Sequence, residues 1–461
     1  MFTVDELLNS TKARLISAYK DRRIKGICLD SRTIKEGEAF IAIKGVNFDG
    51  HDFINEAIKK KASCIIRASQ GKGEAALYSR RTNRNVVVVE AKDTVKALGD
   101  IAKFHRQRFD IPVIAITGSN GKTTTKDMVA WVLSHKFEVL KNIGTKNNQI
   151  GLPQTLLGLN SSHDFAVLEV GTNHFGEVGY LAQICLANIG IITNIGHSHL
   201  EYFKNLKGVL SEKYTLIKHL KNPYIAMLNS DDLLLRKKVL KKSKQPFILG
   251  FGIKNRSDFY VTNVRVLKDR IEFIIKQKYK FTLWTLGYYN IYNALVAIAL
   301  GRIVGMDYKD ISDRLATFTF PQGRLNFIEL NNIRFIDDSY NSNPLSLRQA
   351  LETLDALRVK GRKIFVMGDM LELGKGSESF HRQGGCHASR VCDVFISVGK
   401  LSRSAAKEAG LRGLNAKNIF SCESIAEARE VLFKKISLNP QDIVLVKGSR
   451  AMKMEGIFKT S

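Results

Sequence analysis

Short apolar runs alternate along this chain with segments whose apolar positions recur every three or four residues. The first pattern reads as a buried strand, the second as a helix packed on one face. The middle of the chain shows it most plainly. Val113, Ile114, Ala115 and Ile116 form one run, FAVLEVG (165–171) and NIGIITNI (188–195) two more; a lysine-containing helix follows at about 206–220, and then come YIAMLN (224–229) and PFILGFG (246–252). Strand and helix in turn predict a parallel, doubly wound sheet. The rhythm resumes downstream in IRFIDDSY, a helix through SLRQALETLDALR, then RKIFVMGDM, DVFISVG and DIVLVKGS with helices between them.

Two breaks divide the chain. Residues 1 to about 90 alternate short strands and helices around LDSRTIKEGEAFIAIKGVNFDGHDFINEAIKKKASCII. DTVKALGDIAKFHRQRF then sets Val95, Leu98, Ile101 and Ala102 at helical spacing and leads into the run at Val113. Beyond a small-residue helix starting near Asn290, FTFPQGRLNF holds one of only seven prolines beside a glycine, a hinge signal. The expected architecture is α/β in three domains: a small N-terminal α/β domain (1–90), a central doubly wound P-loop ATPase-like domain (91–320) and a C-terminal Rossmann-like α/β domain (321–461).

The richest chemistry sits where the Val113 run breaks into TGSNGKTTTK. Small residues let backbone N–H groups converge on an anion, and a helix N-terminus follows. Position 116 is Ile, so the common G-x-x-x-x-G-K-[ST] form is absent; the shorter G-x-x-G-K-T-T runs from Gly118 to Thr124. ATP is the expected ligand, with Gly118, Ser119, Asn120, Gly121, Lys122, Thr123 and Thr124 around its phosphates, Lys122 on the outer ones and the Thr123 hydroxyl on magnesium. Glu169, ending the strand AVLEV, offers magnesium an oxygen ligand; a carboxylate there also suits a simple loop cap. His199 follows the strand IGIITNI, and with Lys213 in the next helix it begins to outline a second metal site, although a lysine on a helix is ordinarily solvated.

Composition narrows the class. The 461 residues, 44% hydrophobic and 25% charged, suffice for about three domains with full cores. No apolar run approaches the about 20 residues that span a bilayer, and MFTVDELLNSTKAR lacks the apolar core and cleavage site of a secretory signal. A cytoplasmic protein without membrane insertion is expected. Six cysteines lie scattered without a C-x-x-C pair, which argues against a zinc site or a disulfide framework. The net charge of +27 raises nucleic-acid binding, but the basic residues are spread throughout, with no stripe interleaved with aromatics. Solvated faces that draw in anionic substrates fit better, and no nucleic-acid partner is expected.

Four segments in this order resemble the Mur ligases of peptidoglycan synthesis: TGSNGKTTTK; LEVGTNHFGE; NIGHSHLEYF with GVLSEKYTLI; and DDSYNSNP with GDMLELG and LVKGSRAMKMEGI. The resemblance covers almost the whole chain. Within the family, the last group is similar to the member that adds D-alanyl-D-alanine to the UDP-N-acetylmuramoyl tripeptide. The ligase adding the third amino acid would carry D-Y-A-H-T-P where Asp338-Ser339-Tyr340-Asn341-Ser342-Asn343-Pro344 stands.

The resemblance implies that the tripeptide carboxylate attacks the γ-phosphate of ATP to give an acyl phosphate, which the D-alanyl-D-alanine amine then opens. It implies two magnesium ions, held by Thr123 and Glu169 and by His199 with a Lys213 carbamylated by carbon dioxide. Lys122, Glu169, His199 and Lys213 would be catalytic. Asn290 and Asn293 would approach adenine, preceded by Tyr289 where relatives commonly have histidine; Asn290 also suits a helix cap. Arg324 would reach the ATP phosphates and Asp338 the ribose. Ser31, Arg32, Gly45, Asp49, Gly50 and His51 would receive the UDP end, and a monomer is expected. Nucleotide and substrate would close the third domain, bringing Arg324 and the segment Lys447-Gly448-Ser449-Arg450 toward the reaction centre. Folylpolyglutamate synthase resembles the central and third domains but lacks a first domain of this kind. A nucleic-acid-dependent ATPase is the reading from a different class.

Overall fold

A computed structural model describes residues 1–17, 22–69, 86–241 and 245–458. They form two compact units, Met1–Val113 with Glu138–Gly171 and Gly179–Ala187, and Ile114–Phe137 with Thr172–Val178 and Asn188–Ser461.

In the first unit, helix Val4–Thr11 starts at a capping box in which Thr3 and Glu6 satisfy each other's backbone N–H. A five-stranded sheet follows in the order Arg14–Leu15, Val87–Ala91, Cys64–Ala68, Ala39–Ile41, Ile27–Cys28. Only the first strand is antiparallel to its neighbour. Phe40, Ile65, Ile54 and Ala57 close one core between this sheet and helix Ile54–Lys59. Helix Thr94–Arg106 begins where Asp93 accepts from the N–H groups of Val95 and Lys96, and its Leu98, Ile101 and Ala102 are buried as their spacing predicts. Strands Val139–Lys141 and Phe165–Glu169 run parallel.

The second unit carries the strand reaching Thr117 and, in order beside it, Ile189–Ile192, Ile225–Asn229, Phe247–Gly252, Phe259–Val266, Ile271–Ile275 and Tyr279–Leu283. Pairing is parallel as far as Phe259–Val266 and antiparallel beyond. The last three strands extend the predicted doubly wound sheet by two hairpins. A second, six-stranded sheet has the order Asn326–Leu330, Ile333–Asp338, Ile443–Lys447, Lys363–Gly368, Val394–Val398, Ile419–Cys422, parallel except for its first strand. Apolar clusters cover both its faces, one around Leu347, Phe365 and Phe395, the other around Phe335, Val366 and Leu432. The hinge segment holds Gly323 and Leu325 at positive φ, 72° and 57°, immediately before the C-terminal sheet begins.

All six cysteines are free thiols. Burial pushes those of Cys64, Cys185 and Cys392 up to about 12, which keeps them protonated and inert. No helix among the described residues is long and apolar enough to cross a membrane.

Candidate active site

The phosphate-loop strand Val113–Thr117 is buried along its whole length and delivers the chain to Gly118. Gly118 has φ +148° and Gly121 φ +81°. A Cβ at Gly118 would stand 1.9 Å from Thr193 Oγ1, and one at Gly121 2.8 Å from Asn293 Oδ1, so both positions require glycine. Residues 193–198 grip the turn from outside. Ser119 N donates to Asn194 O and Asn120 N to Asn194 Oδ1, both at 3.0 Å; Thr193 Oγ1 donates to Asn120 O at 2.6 Å. Gly196 N donates to Ser119 Oγ at 2.9 Å, and Ser198 Oγ to the same atom at 3.0 Å. Lys122 Nζ curls back onto Gly118 O at 2.9 Å. Thr124 and Thr125 are buried under the turn.

Asn293 Oδ1 accepts from Thr125 Oγ1 at 2.9 Å and its Nδ2 donates to Asn290 Oδ1 at 2.9 Å. Asn290 Nδ2 reaches Thr285 Oγ1 at 3.2 Å. Tyr289, whose side chain makes no capping hydrogen bond, holds the cap position of helix Asn290–Ile303, so Asn290 does not cap it. Arg324 crosses from the hinge to donate to Thr123 Oγ1 at 3.0 Å, its guanidinium 4.1 Å above the Tyr340 ring. Asp338, at the end of its strand, accepts from the buried Lys447 Nζ at 2.5 Å, and Lys447 also donates to Asn341 O. Arg450 pairs with Glu455.

Lys213 departs from the solvated lysine its sequence suggests. It lies on the inward face of helix Leu206–Lys218 with Val209, Glu212, Leu216 and Ile217 and is 1% exposed. Burial first, and the charge of Lys122 second, hold its amine well below the ordinary lysine range, against the opposing pull of Glu212. Glu212 is itself fixed by accepting from Gly176 N and Val178 N, each at 2.8 Å. His199, at φ +52°, shares a 2.5 Å hydrogen bond through Nδ1 with Glu372 of the C-terminal domain. That bond is the leading cause holding the Glu372 carboxyl below its ordinary range. A depressed carboxyl adds stability above its ordinary value and loses it as pH falls through the depressed one. Glu372→Gln should therefore destabilise near pH 6 by at most about 1 kcal/mol, since the pair is partly exposed. Chemical denaturation without added divalent ion should show the gap closing toward pH 3; a gap constant with pH would contradict this.

The remaining candidates lie in the first unit. Glu169 ends its strand 2% exposed; Asn147 Nδ2 donates to its Oε1 at 2.7 Å, and Asn142 bonds its backbone N–H and C=O. Ser31 Oγ donates to Glu56 Oε2 at 2.7 Å, while Arg32 is exposed and paired with Asp30. Gly45 N donates to Phe48 O, and Gly50 packs so closely on Ile43 that a Cβ would lie 2.6 Å from its nitrogen. Asp49 accepts from His51 N and meets His51 Nδ1, while His51 Nε2 accepts from Ala68 N at 3.1 Å. Both ring nitrogens of His51 thus serve to shape the turn.

Among the described residues no three His, Cys, Asp or Glu side chains gather into an all-protein metal cage. The Glu169 carboxylate in the first unit and the Thr123 hydroxyl in the second are, each by itself, hard oxygen donors of the kind magnesium takes when phosphates and water complete its shell. Sequence reasoning missed the outer grip of Thr193, Asn194 and Ser198, the Tyr340 ring under Arg324 and the Glu372 partner of His199. The small polar run T-N-I-G-H-S at a strand end was the available signal for the first.

A strand-to-helix turn closed to a Cβ at Gly118 and Gly121, with Lys122 and Thr123 next, is that of a P-loop nucleotide-binding protein. Mur ligase family, catalytic domain, matches residues 23–106; Mur ligase middle domain, 116–301; and Mur ligase, glutamate ligase domain, 323–450. A curated UDP-N-acetylmuramoyl-tripeptide–D-alanyl-D-alanine ligase of Bacillus subtilis is 32% identical over 99% of this chain and 97% of its own. The crystal structure of MurF from Acinetobacter baumannii matches with a TM-score of 0.88 at 30% identity, over 99% of this chain and 98% of that one. That of a MurF ligase from Thermotoga maritima in complex with ADP matches at 0.80 and 27% identity, over 94% and 96%. The chain belongs to the Mur ligase family. It is an ATP-dependent enzyme that forms amide bonds.

Proposed function

We propose that this enzyme joins D-alanyl-D-alanine to the UDP-N-acetylmuramoyl tripeptide in peptidoglycan precursor synthesis. The observation that carries the substrates is the likeness, along nearly the full length of both chains, to ligases of that name. It favours them over the third-residue ligase and over folylpolyglutamate synthase. A tripeptide carboxylate oxygen bonds to the γ-phosphorus as the bond to ADP breaks. The dipeptide amine then attacks the acyl carbon, phosphate leaves, and the amine gives up a proton.

The chain's part is to bind, orient and neutralise. Backbone N–H groups of Gly118–Gly121 and the Lys122 ammonium would take the phosphates, and Arg324 would meet their charge from the hinge. Asn290 and Asn293 would hold the base side and Asp338 the ribose. Thr123 and Glu169 would hold one magnesium, and His199 with Lys213 a second. Bound magnesium would neutralise charge on the transferring phosphoryl group. Lys213 supports the carbamate reading: burial lowers the pKa of its amine, which favours the neutral form, and a neutral amine adds to carbon dioxide with loss of a proton to give an anionic oxygen ligand. Ser31, Arg32, Gly45, Asp49, Gly50 and His51 would receive the UDP end. The domains would divide near 90 and 320, and substrates of this kind would be handled in the cytoplasm. A monomer would suffice, with no nucleic-acid partner.

Phosphate release from ATP and magnesium should require both UDP-N-acetylmuramoyl tripeptide and D-alanyl-D-alanine, with a new amide product by mass. Release driven by folate and glutamate, or by nucleic acid, would overturn the assignment.

A further inference from the structure

Helix Pro344–Ala356 of the C-terminal domain begins at a residue with two tasks. Asn343 is extended, φ −145° and ψ 168°; its Oδ1 accepts from Ser346 N at 3.0 Å while its own N donates to Ser346 Oγ at 3.0 Å, a capping box with proline at the first helical position. The same side chain faces Asn120 of the phosphate loop. Asn343 Nδ2 donates to Asn120 Oδ1 at 2.7 Å, and Asn120 Nδ2 donates to Asn343 Oδ1 at 3.2 Å. Two amides placed head to tail each satisfy a donor and an acceptor of the other, so the contact fixes distance and orientation together. Asn343 is 8% exposed, which limits exchange of these bonds with water.

Neither end of this pair is loose. Asn120 is held through its main chain by Asn194 Oδ1 on its N–H and by Thr193 Oγ1 and Asn194 Nδ2 on its carbonyl. One residue beyond the cap, Leu345 packs on Gly196, where a Cβ would lie 3.0 Å from Leu345 Cδ2 and 3.5 Å from Ser119 Cβ. Gly196 is thus wedged between the helix start and the loop. Further along the same helix, Glu352 accepts a hydrogen bond from the Tyr289 hydroxyl at the head of helix Asn290–Ile303. Rigid-body movement of the C-terminal helix must be felt by the turn that meets the phosphates.

We infer that Asn343 is a positioning residue, acting through Asn120 to set the phosphate loop in register with the seated C-terminal domain. The inference rests on the ATP-dependent ligase reading, and it separates Asn343's cap from its pairing role. Serine caps a helix about as well as asparagine but cannot return both bonds to Asn120. Asn343→Ser should keep the wild-type melting temperature while kcat falls ten- to a hundredfold, the cost of a misplaced reacting group. KM for ATP should move less than threefold. Asn120→Ser should behave likewise, and the double variant should be no slower than either single. Hydrogen exchange at residues 118–122, measured without any ligand, should quicken in both single variants. Asn343→Asp, which caps but has no N–H for Asn120 Oδ1, serves as a second variant should the serine form fold poorly.

Wild-type kcat with wild-type exchange in the serine form, or single-variant losses that multiply in the double variant, would overturn the pairing role. Wild-type enzyme that releases phosphate without needing both substrates would instead fail the underlying reading, while the exchange measurement still decides the pair.

Discussion

Lys213→Met should abolish ligation while leaving the protein as stable as before, or more so. Lys213 shares its buried helix face with Val209, Leu216 and Ile217, and its amine is held well below the ordinary lysine range by burial and by Lys122. An amine lowered in this way binds fewer protons folded than unfolded, so stability rises with pH between the folded and unfolded pKa values and is reduced below them. Methionine, of similar volume, removes that pH-dependent cost, and replacing buried charges by apolar groups is often neutral or stabilising by about 1–4 kcal/mol. On the proposed carbamate reading, however, the reaction would lose an oxygen ligand. Electrostatic groups of this kind are worth about a hundred- to a thousandfold each in rate. Urea unfolding at pH 7 and pH 9 alongside product formation tests both halves. Full activity in Lys213→Met would remove the lysine from catalysis, and a collapse of stability would show the position to be structural. Wild-type activity should also fall in buffers stripped of carbon dioxide and return with bicarbonate, at unchanged stability.

Gly118→Ala should be the most damaging single-carbon change in the loop. The new Cβ would lie 1.9 Å from Thr193 Oγ1 and 3.1 Å from Thr193 N, at a φ that side chains rarely adopt. Thr193 cannot simply turn away, because its hydroxyl holds Asn120 O at 2.6 Å and its N–H pairs with Thr117 O. Either the turn opens or strand Ile189–Ile192 gives at its end, and the N–H groups lose their common aim. Binding of ADP, followed by calorimetry, should weaken at least thirtyfold, about 2 kcal/mol. Ligation should fall at least a hundredfold. Melting should shift only modestly, since the strand core below Gly118 is untouched. Thr193→Ser retains the hydroxyl and should stay near wild type, so ADP binding by Gly118→Ala at wild-type strength would sink the steric argument.

The α/β alternation and the loop were legible because both are local. Val113–Ile116, Glu169 at its strand end and helix Thr94–Arg106 follow from spacing and capping within a few residues. The hairpins from Phe259 to Leu283 escaped because FYVTNVRV alternates buried Val261 with exposed neighbours only intermittently, which reads as neither a continuous run nor a clean period of two. Residue type alone does not bury Lys213, since a lysine on a helix is ordinarily solvated. Val209, Leu216 and Ile217 at helical spacing already turned position 213 inward. Glu372 beside His199 and Asn343 beside Asn120 lie 173 and 223 positions apart in sequence. No single-chain periodicity brings such pairs together; only the packing of the C-terminal domain does.

The interleaving of the two compact units also bears on synthesis. The first unit is assembled from Met1–Val113, Glu138–Gly171 and Gly179–Ala187, so a ribosome that has made its opening segment must translate past position 187 before the unit has all its parts. At about 5–20 residues per second that interval is roughly 4–15 s, during which the buried edge of helix Thr94–Arg106 waits for the partners that Tyr180 and Ile184 bring against Gly99. Nascent chains halted before residue 187 should therefore be the ones that most need a chaperone.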